Sequence, residues 1–483
     1  MLAFQQRRGP VFFALISLPA TAMGFALSVQ ISVLSWMLST RYGLAIEEIG
    51  LVWAAGPLAG IVGQVLVGLL SDRAWVWGGR RRLFIIVGGT VAALAIMLLP
   101  QIGAISQAIG LPGVFAVAIT VALALDLAVN VGFNPTRALI ADVTAEGPER
   151  AMAYSIMQLI SGSFGVGAYV IGALLGNDVL IAVATVLVLV FAVGPSLVIT
   201  EPRQLSEEMP TPTAFAAAAT VADAPASDYG WQSIVASLSP LWAILIYDIY
   251  GLTVRLAGQN VTGYLAEGLC AAATLVLIGH ALLTANGANG SFRRMIAASA
   301  LCWLGVQPIF VYMVSFLQGR MPWLDDTALG QTTAFAFLAM NGVAAVAPLA
   351  LGRLAGRFGA LPVHVAAVAT IALGCLAIWL FAAAAWQLYA LMAFCGIGWG
   401  SIVSLPFAIM SDRVAPARMG LFMGLFNLSV VLPQLVTSLG IGTLVGAATD
   451  KGVVFGLSGL FFTLSAICWH FTPVRTNVER SMR

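Results

Sequence analysis

Residues 121–142 read VALALDLAVNVGFNPTRALIAD, an apolar stretch long enough to cross a bilayer as a helix but carrying polar residues at regular intervals. Asp126 is followed by Asn130, Asn134 and, eleven residues on, Arg137. At about 100° per residue, these four positions lie within roughly 80° of one another on a helix. A charge at membrane depth marks a functional position by default. We therefore predict that this face lines an aqueous cavity; the alternative is a helix-packing ion pair.

The composition of the whole chain places it in a membrane. Of 483 residues, 60% are hydrophobic and 9% are charged, and the mean hydropathy is +0.98. Soluble domains are roughly 45–50% apolar and about 25% charged, so a soluble enzyme and a disordered chain are both excluded. The net charge of +2 leaves no broad basic face for nucleic acid.

Fourteen apolar runs approach the length of about 20 residues that a membrane-spanning helix needs. They fall as six, two and six, at 11–37, 50–71, 83–103, 109–135, 151–176, 178–199, 238–257, 263–284, 295–317, 328–351, 361–384, 386–411, 419–446 and 452–472. The predicted fold is all-α and integral to the membrane.

The spans divide the chain into five predicted segments. They are an N-terminal six-helix half (1–200), a cytoplasmic linker rich in proline and alanine (201–235), an inserted transmembrane hairpin (236–290), a C-terminal six-helix half (291–475) and a cytoplasmic tail (476–483). With the N-terminus inside, all basic residues except Arg41, Arg255, Arg320 and Lys451 fall on the cytoplasmic side, as the positive-inside rule requires.

An internal repeat relates the two outer halves. The sequence ALIAD at 138–142 recurs as AIMSD at 408–412, each at the end of a span with an arginine shortly after it. Two six-helix halves related by pseudo-symmetry are typical of the major facilitator fold, here with about 14 transmembrane helices.

The loop after the second span combines acidic and basic residues. Its arginines act as a topology signal, and they also favour a cytoplasmic gate of ion pairs that would break as the halves rock. The predicted gate residues are Asp72, Arg80, Arg81, Asp142 and Asp412.

The inserted hairpin carries Asp248 and, seven residues on, Arg255 on a similar helix face. An Asp/Arg pair that docks the hairpin is the favoured interpretation, and a transport role is the alternative.

Metal and cofactor chemistry have no support in the sequence. The five cysteines lie in apolar runs without CxxC or Cys/His spacing, so we expect packing thiols and no metal site. No GxxxxGK[ST] loop occurs, because Lys451 is the only lysine, and no catalytic set stands out. We predict that the chain is not an enzyme and that it has no cofactor. The expected energy source is a proton gradient across the membrane.

Three motifs resemble one family of transporters. The first runs from Gly56 to Arg82, the second from Asp126 to Asp142, and the third from Gly424 to Ser438 with Asn427 and the Pro-Gln pair at 433–434. In this order they resemble the sucrose/H+ symporters of plants and their animal and bacterial relatives, the glycoside–cation (SLC45-type) branch of the major facilitator superfamily.

The resemblance implies roles for individual residues. Asp126 corresponds to the proton-binding aspartate of the family, and Arg137 to the arginine of the same helix. Polar residues of several spans are the expected sugar ligands: Gln30, Gln64, Asn130, Gln158, Gln307, Tyr312, Asn427 and Gln434.

The sequence thus predicts a proton-coupled symporter for a di- or oligosaccharide that works by alternating access. We expect a monomer in a cell inner membrane, with both termini cytoplasmic and with the sugar, protons and lipid as its partners. The alternatives are a proton-coupled exporter of a sugar or amphipathic compound, and a non-transporting assembly factor on the same fold.

Overall fold

The computed structural model describes residues 9–60, 75–79, 81–144, 148–201, 235–257, 264–284, 287–411 and 419–472. Within these ranges the long elements are all helices. In chain order they are α1 (Pro10–Thr40), α2 (Ile46–Trp53), α3 (Arg82–Leu98), α4 (Ile102–Ala108), α5 (Phe115–Val143), α6 (Pro148–Leu175), α7 (Asn177–Val198), α8 (Trp242–Leu256), α9 (Leu265–Thr284), α10 (Gly287–Arg320), α11 (Asp326–Phe358), α12 (Ala360–Phe381), α13 (Ala385–Ile402), α14 (Leu405–Ser411), α15 (Met419–Val436), α16 (Gly442–Ala447) and α17 (Val453–His470).

Eleven helices of the described residues are long and apolar enough to cross a membrane. They correspond to eleven of the fourteen predicted spans and confirm a multi-pass helical membrane protein. The other three predicted spans overlap the described helices α2, α8, α13 and α14, and the total of about 14 stays a prediction.

The described residues form two compact units. Residues 1–209 with 310–338 make up the N-terminal unit, and residues 210–309 with 339–483 make up the C-terminal unit. Helices α10 and α11 therefore contribute one part to each unit. The five predicted segment boundaries stay predictions, and residues 202–234 and 473–483 lie outside the described residues.

Small residues let the helices of the N-terminal unit approach closely. Helix α1 packs on α5, α6 and α7, and α3 packs on α5 and α7. A methyl group at Gly88 would lie 2.8 Å from the carbonyl oxygen of Ala128, so the backbones of α3 and α5 are in direct contact at this point. Since lipid tails are as apolar as leucine, such close packing is a main source of helix association in a bilayer.

The C-terminal unit has the same kind of packing. Helix α12 lies against α13 and α17. A methyl group at Gly398 would meet the carbonyl oxygen of Ala367 at 2.6 Å, and the Ser465 hydroxyl donates to the carbonyl of Ala298 at 2.7 Å. A serine hydroxyl bonded to the backbone of another helix is satisfied in a medium without water.

Candidate proton and substrate site

The carboxyl group of Asp126 is buried between helices of the N-terminal unit. The residue is 5% exposed on α5, and the side-chain amide of Gln30 on α1 donates a hydrogen bond of 3.0 Å to its Oδ2 atom. Gln30 was expected among the sugar ligands; the structure makes it the partner of the predicted proton-binding residue. Ionising a buried carboxyl group is costly, and the hydrogen bond from the Gln30 amide offsets part of that cost.

One glycine makes room for this carboxyl group, and a second lies beside the neighbouring Asn130. Residues 55–60 are helical, and a methyl group at Gly56 would lie 3.3 Å from Oδ1 of Asp126. A methyl group at Gly60 would lie 3.9 Å from the side-chain oxygen of Asn130. The amide nitrogen of Asn130 donates to the backbone carbonyl of Asp126 at 2.8 Å. The GPLAG segment thus encloses the polar face of α5 at Asp126 and Asn130.

Arg137 lies away from this cluster. It is exposed, and its guanidinium carbon is 4.7 Å from the ring centre of Phe133. Eleven residues of helix separate it from Asp126, about 16 Å along the axis. The Tyr154 hydroxyl donates to its backbone carbonyl at 2.9 Å. Asp126 and Arg137 therefore lie at separate sites on the polar face of α5. The proton-coupling role of Arg137 stays a prediction.

The other expected sugar ligands occupy different environments. Gln158 is exposed on α6, Tyr312 is fully buried on α10, and Gln307 is 4% exposed on the same helix. Asn427 and Gln434 are half-buried on α15. Gln64 lies outside the described residues. No contact of the structure assigns any of them to a sugar, and their roles stay predictions.

Two tryptophans of the C-terminal unit come together. The rings of Trp303 on α10 and Trp399 on α13 are 6.0 Å apart, edge to face, and both are half-buried. The indole nitrogen of Trp399 donates to the side-chain oxygen of Asn341 at 3.1 Å. Asn341 was not among the expected site residues, although a polar residue in the middle of an apolar span is a signal that points to it.

The Arg81–Asp142 pair of the predicted gate is present. Nε of Arg81 lies 3.1 Å from Oδ2 of Asp142, within the N-terminal unit. Glu201, which the sequence analysis missed, accepts hydrogen bonds from the backbone amides of Arg81 (2.8 Å) and Arg82 (3.0 Å) at the start of α3. Asp72, Arg80 and Asp412 lie outside the described residues, and gating stays a prediction.

Hydrogen bonds also join α1 to the C-terminal part of α10 and the N-terminal end of α11. The Ser35 hydroxyl donates to the carbonyl of Val311 at 2.7 Å, and the indole of Trp36 donates to the carbonyl of Asp326 at 2.6 Å. Gly330 leaves space for this junction, since a methyl group there would lie 2.9 Å from Nε1 of Trp36 and 2.8 Å from Nδ2 of Asn177. These contacts explain why residues 310–338 belong to the N-terminal unit.

No cluster of three or more His, Cys, Asp or Glu side chains able to hold a metal ion is present among the described residues.

Eleven candidate spans, a buried carboxyl group and polar side chains within the spans are features typical of membrane transporters. The family model of the Major Facilitator Superfamily matches residues 16–427, and the chain belongs to this superfamily. The family comprises transporters, and the chain is a transporter and not an enzyme.

Curated relatives share part of the chain. A sucrose transport protein of Oryza sativa subsp. indica (SUT5) is 32% identical over 34% of this chain and 32% of its own length. A sucrose transport protein of Arabidopsis thaliana (SUC4) is 31% identical over 27% of each chain, and the general alpha-glucoside permease of Schizosaccharomyces pombe is 31% identical over 26% of each. The chain spans about a third or less of the length of these relatives.

Solved structures share the fold over nearly the whole chain. The nucleoside transporter NupG has a TM-score of 0.63 at 10% identity, covering 96% of this chain and 99% of its own. A D-xylose-proton symporter has a TM-score of 0.61 at 13% identity, covering 96% and 98%. At these identities the likeness concerns the fold alone.

Proposed function

We propose that the chain is a proton-coupled symporter of the glycoside–cation branch that imports a di- or oligosaccharide. The carboxyl group of Asp126, buried and bonded to Gln30, is the observation that carries this proposal. A buried carboxyl group is neutral when protonated, and burying its ionised form costs free energy. Its protonation state therefore biases the conformations that the transporter adopts.

Similarity to sucrose and alpha-glucoside transporters supports the substrate class. The half-buried tryptophans Trp303 and Trp399 add aromatic faces of the kind that bind sugar rings. We place the protein in a cell inner membrane as a monomer with cytoplasmic termini, with the proton gradient as its only energy source and no cofactor.

Uptake of radiolabelled sucrose and maltose into proteoliposomes tests the proposal. With the outside acidic, the wild type accumulates sugar above equilibrium. Asp126→Asn abolishes accumulation but retains counterflow, because the amide keeps the shape of the carboxyl group and cannot carry a proton. Asp450→Asn, in an exposed loop, is the matched control and accumulates sugar like the wild type.

The outcomes separate the alternatives. Proton-driven accumulation by Asp126→Asn would show that another group carries the proton. Sugar extrusion against an inward proton gradient would favour the exporter. If none of the tested sugars supports counterflow and the protein co-purifies with a membrane complex, the assembly factor is favoured.

A further inference from the structure

The inserted hairpin of α8 and α9 packs on a distorted part of the C-terminal unit. Residues Thr437–Ile441, between α15 and α16, form one turn of π-helix, and α8 contacts both α15 and this turn. A methyl group at Gly251 would lie 3.3 Å from the side chain of Leu439, and a methyl group at Gly440 would collide with the hydroxyl of Tyr247. Single π turns inside α-helices occur often at functional positions.

The charged end of α8 is bonded to this π turn. A terminal guanidinium nitrogen of Arg255 donates to the backbone carbonyl of Leu439 at 2.8 Å. The Asp248–Arg255 ion pair, favoured from the sequence, is therefore absent from this conformation. Arg255 docks the hairpin through the backbone of the neighbouring helix.

Asp248 is left without a partner. It is 2% exposed, and neither carboxyl oxygen has a hydrogen-bond partner among the described residues. A buried ionised carboxylate without a counter-charge would cost several kcal/mol, and proteins avoid that cost by protonation. The conformation with α8 docked thus contains the neutral acid.

The ionisable groups around Asp248 are few. On α8 itself they are Tyr247, Tyr250 and Arg255, and on α9 they are Glu267 and Cys270, with His280 ten residues, about 15 Å, further along that helix. The Tyr247 hydroxyl donates to Glu267 at 2.9 Å, so Glu267 already has its own donor. Helix α15 and the π turn contain no ionisable side chain. Arg255 is the one nearby cation among these groups, and it is held by Leu439.

We propose that Asp248 is a proton-binding site separate from Asp126, and that its protonation controls the docking of α8 on the π turn. Loss of the proton leaves a carboxylate that requires a positive charge. Arg255 lies two helical turns away on the same face, about 10.5 Å along the axis, within the combined reach of the two side chains. Arg255 then leaves the carbonyl of Leu439 for Asp248, and the contact of the hairpin with the π turn weakens.

Infrared spectroscopy of the purified full-length protein in lipid nanodiscs tests the proton site directly. The wild type shows a carboxylic-acid C=O band at neutral pH that Asp248→Asn removes and that alkaline pH titrates away. A band assigned to Asp126 is identified separately with Asp126→Asn. If Asp248→Asn removes no band, the proposal is wrong.

Spin labels test the coupling to docking. Cysteines at Ile246 on α8 and Leu444 on α16, both exposed, carry the labels in a background without the native cysteines. In the wild type, a single distance between the two labels is expected at low pH. A second distance appears as the pH rises through the range in which the Asp248 band disappears. The ratio of the two populations changes up to tenfold per pH unit, as expected for one proton.

Variants separate the contributions of the two residues. Asp248→Asn holds a single distribution at every pH. Arg255→Gln removes the side chain that either bonds to Leu439 or pairs with Asp248, so the band still titrates but the distance distribution no longer depends on pH. Asp450→Asn matches the wild type in both measurements. A wild-type distance that does not depend on pH, or a pH response that survives in Asp248→Asn, would overturn the proposal. Neither measurement requires sugar transport, so failure of the proposed function would be seen separately.

Discussion

Replacing Gln30 by methionine tests whether the Gln30–Asp126 hydrogen bond sets the pH range of transport. The amide of Gln30 donates 3.0 Å to the carboxyl group of Asp126. The donor stabilises the ionised form more than the neutral form, because a hydrogen bond to a charged acceptor is stronger. Methionine keeps an unbranched side chain of similar length and removes the donor.

The size of the effect follows from that single bond. A hydrogen bond to a charged group contributes about 1.5–3 kcal/mol, and 1.36 kcal/mol corresponds to one pH unit. Without the donor, Asp126 retains its proton to higher pH. We expect the pH at which uptake is half-maximal to rise by about 1–2 units in Gln30→Met.

The assay is initial sugar uptake into proteoliposomes at fixed membrane potential and varied external pH. Gln107→Met, an exposed glutamine on α4, is the matched control and keeps the wild-type midpoint. An unchanged midpoint in Gln30→Met, or one that moves to lower pH, would refute the assignment of Gln30 as the residue that sets the proton affinity of Asp126.

Two further substitutions test the ends of the helices. Gly330→Leu places a side chain against Trp36 and should disfavour the packing of α1 on α11 by about 1–3 kcal/mol. A cysteine placed at Ser35 should then be alkylated roughly 5–150-fold faster. Gly342→Leu, on the same helix with no atom within 4 Å of the new methyl group, should leave that rate unchanged. Glu201→Gln weakens the two hydrogen bonds to the start of α3 and should cost about 0.5–2 kcal/mol of stability, read as a lower thermal unfolding temperature; a temperature equal to the wild type would contradict this role.

At the inserted hairpin, the structure differs from what the sequence predicts. The spacing of Asp248 and Arg255 correctly placed both residues on one helix face, which made an ion pair the natural expectation. The structure instead gives Arg255 to the carbonyl of Leu439, 184 residues away in the chain. A π turn in another helix has no sequence signature of its own, so this partner was beyond prediction.

The sequence by itself determined the membrane setting, most of the spans, and Asp126 as the residue to examine. Apolar length and helical periodicity are local properties, and they can be read along the chain without knowledge of neighbours. Only the tertiary structure decided that Gln30 bonds to Asp126, that Gly330 lies against Trp36, and that neither carboxyl oxygen of Asp248 has a hydrogen-bond partner among the described residues. Each of these depends on which helices pack side by side, and the sequence does not state which small residues of one helix meet which residues of another.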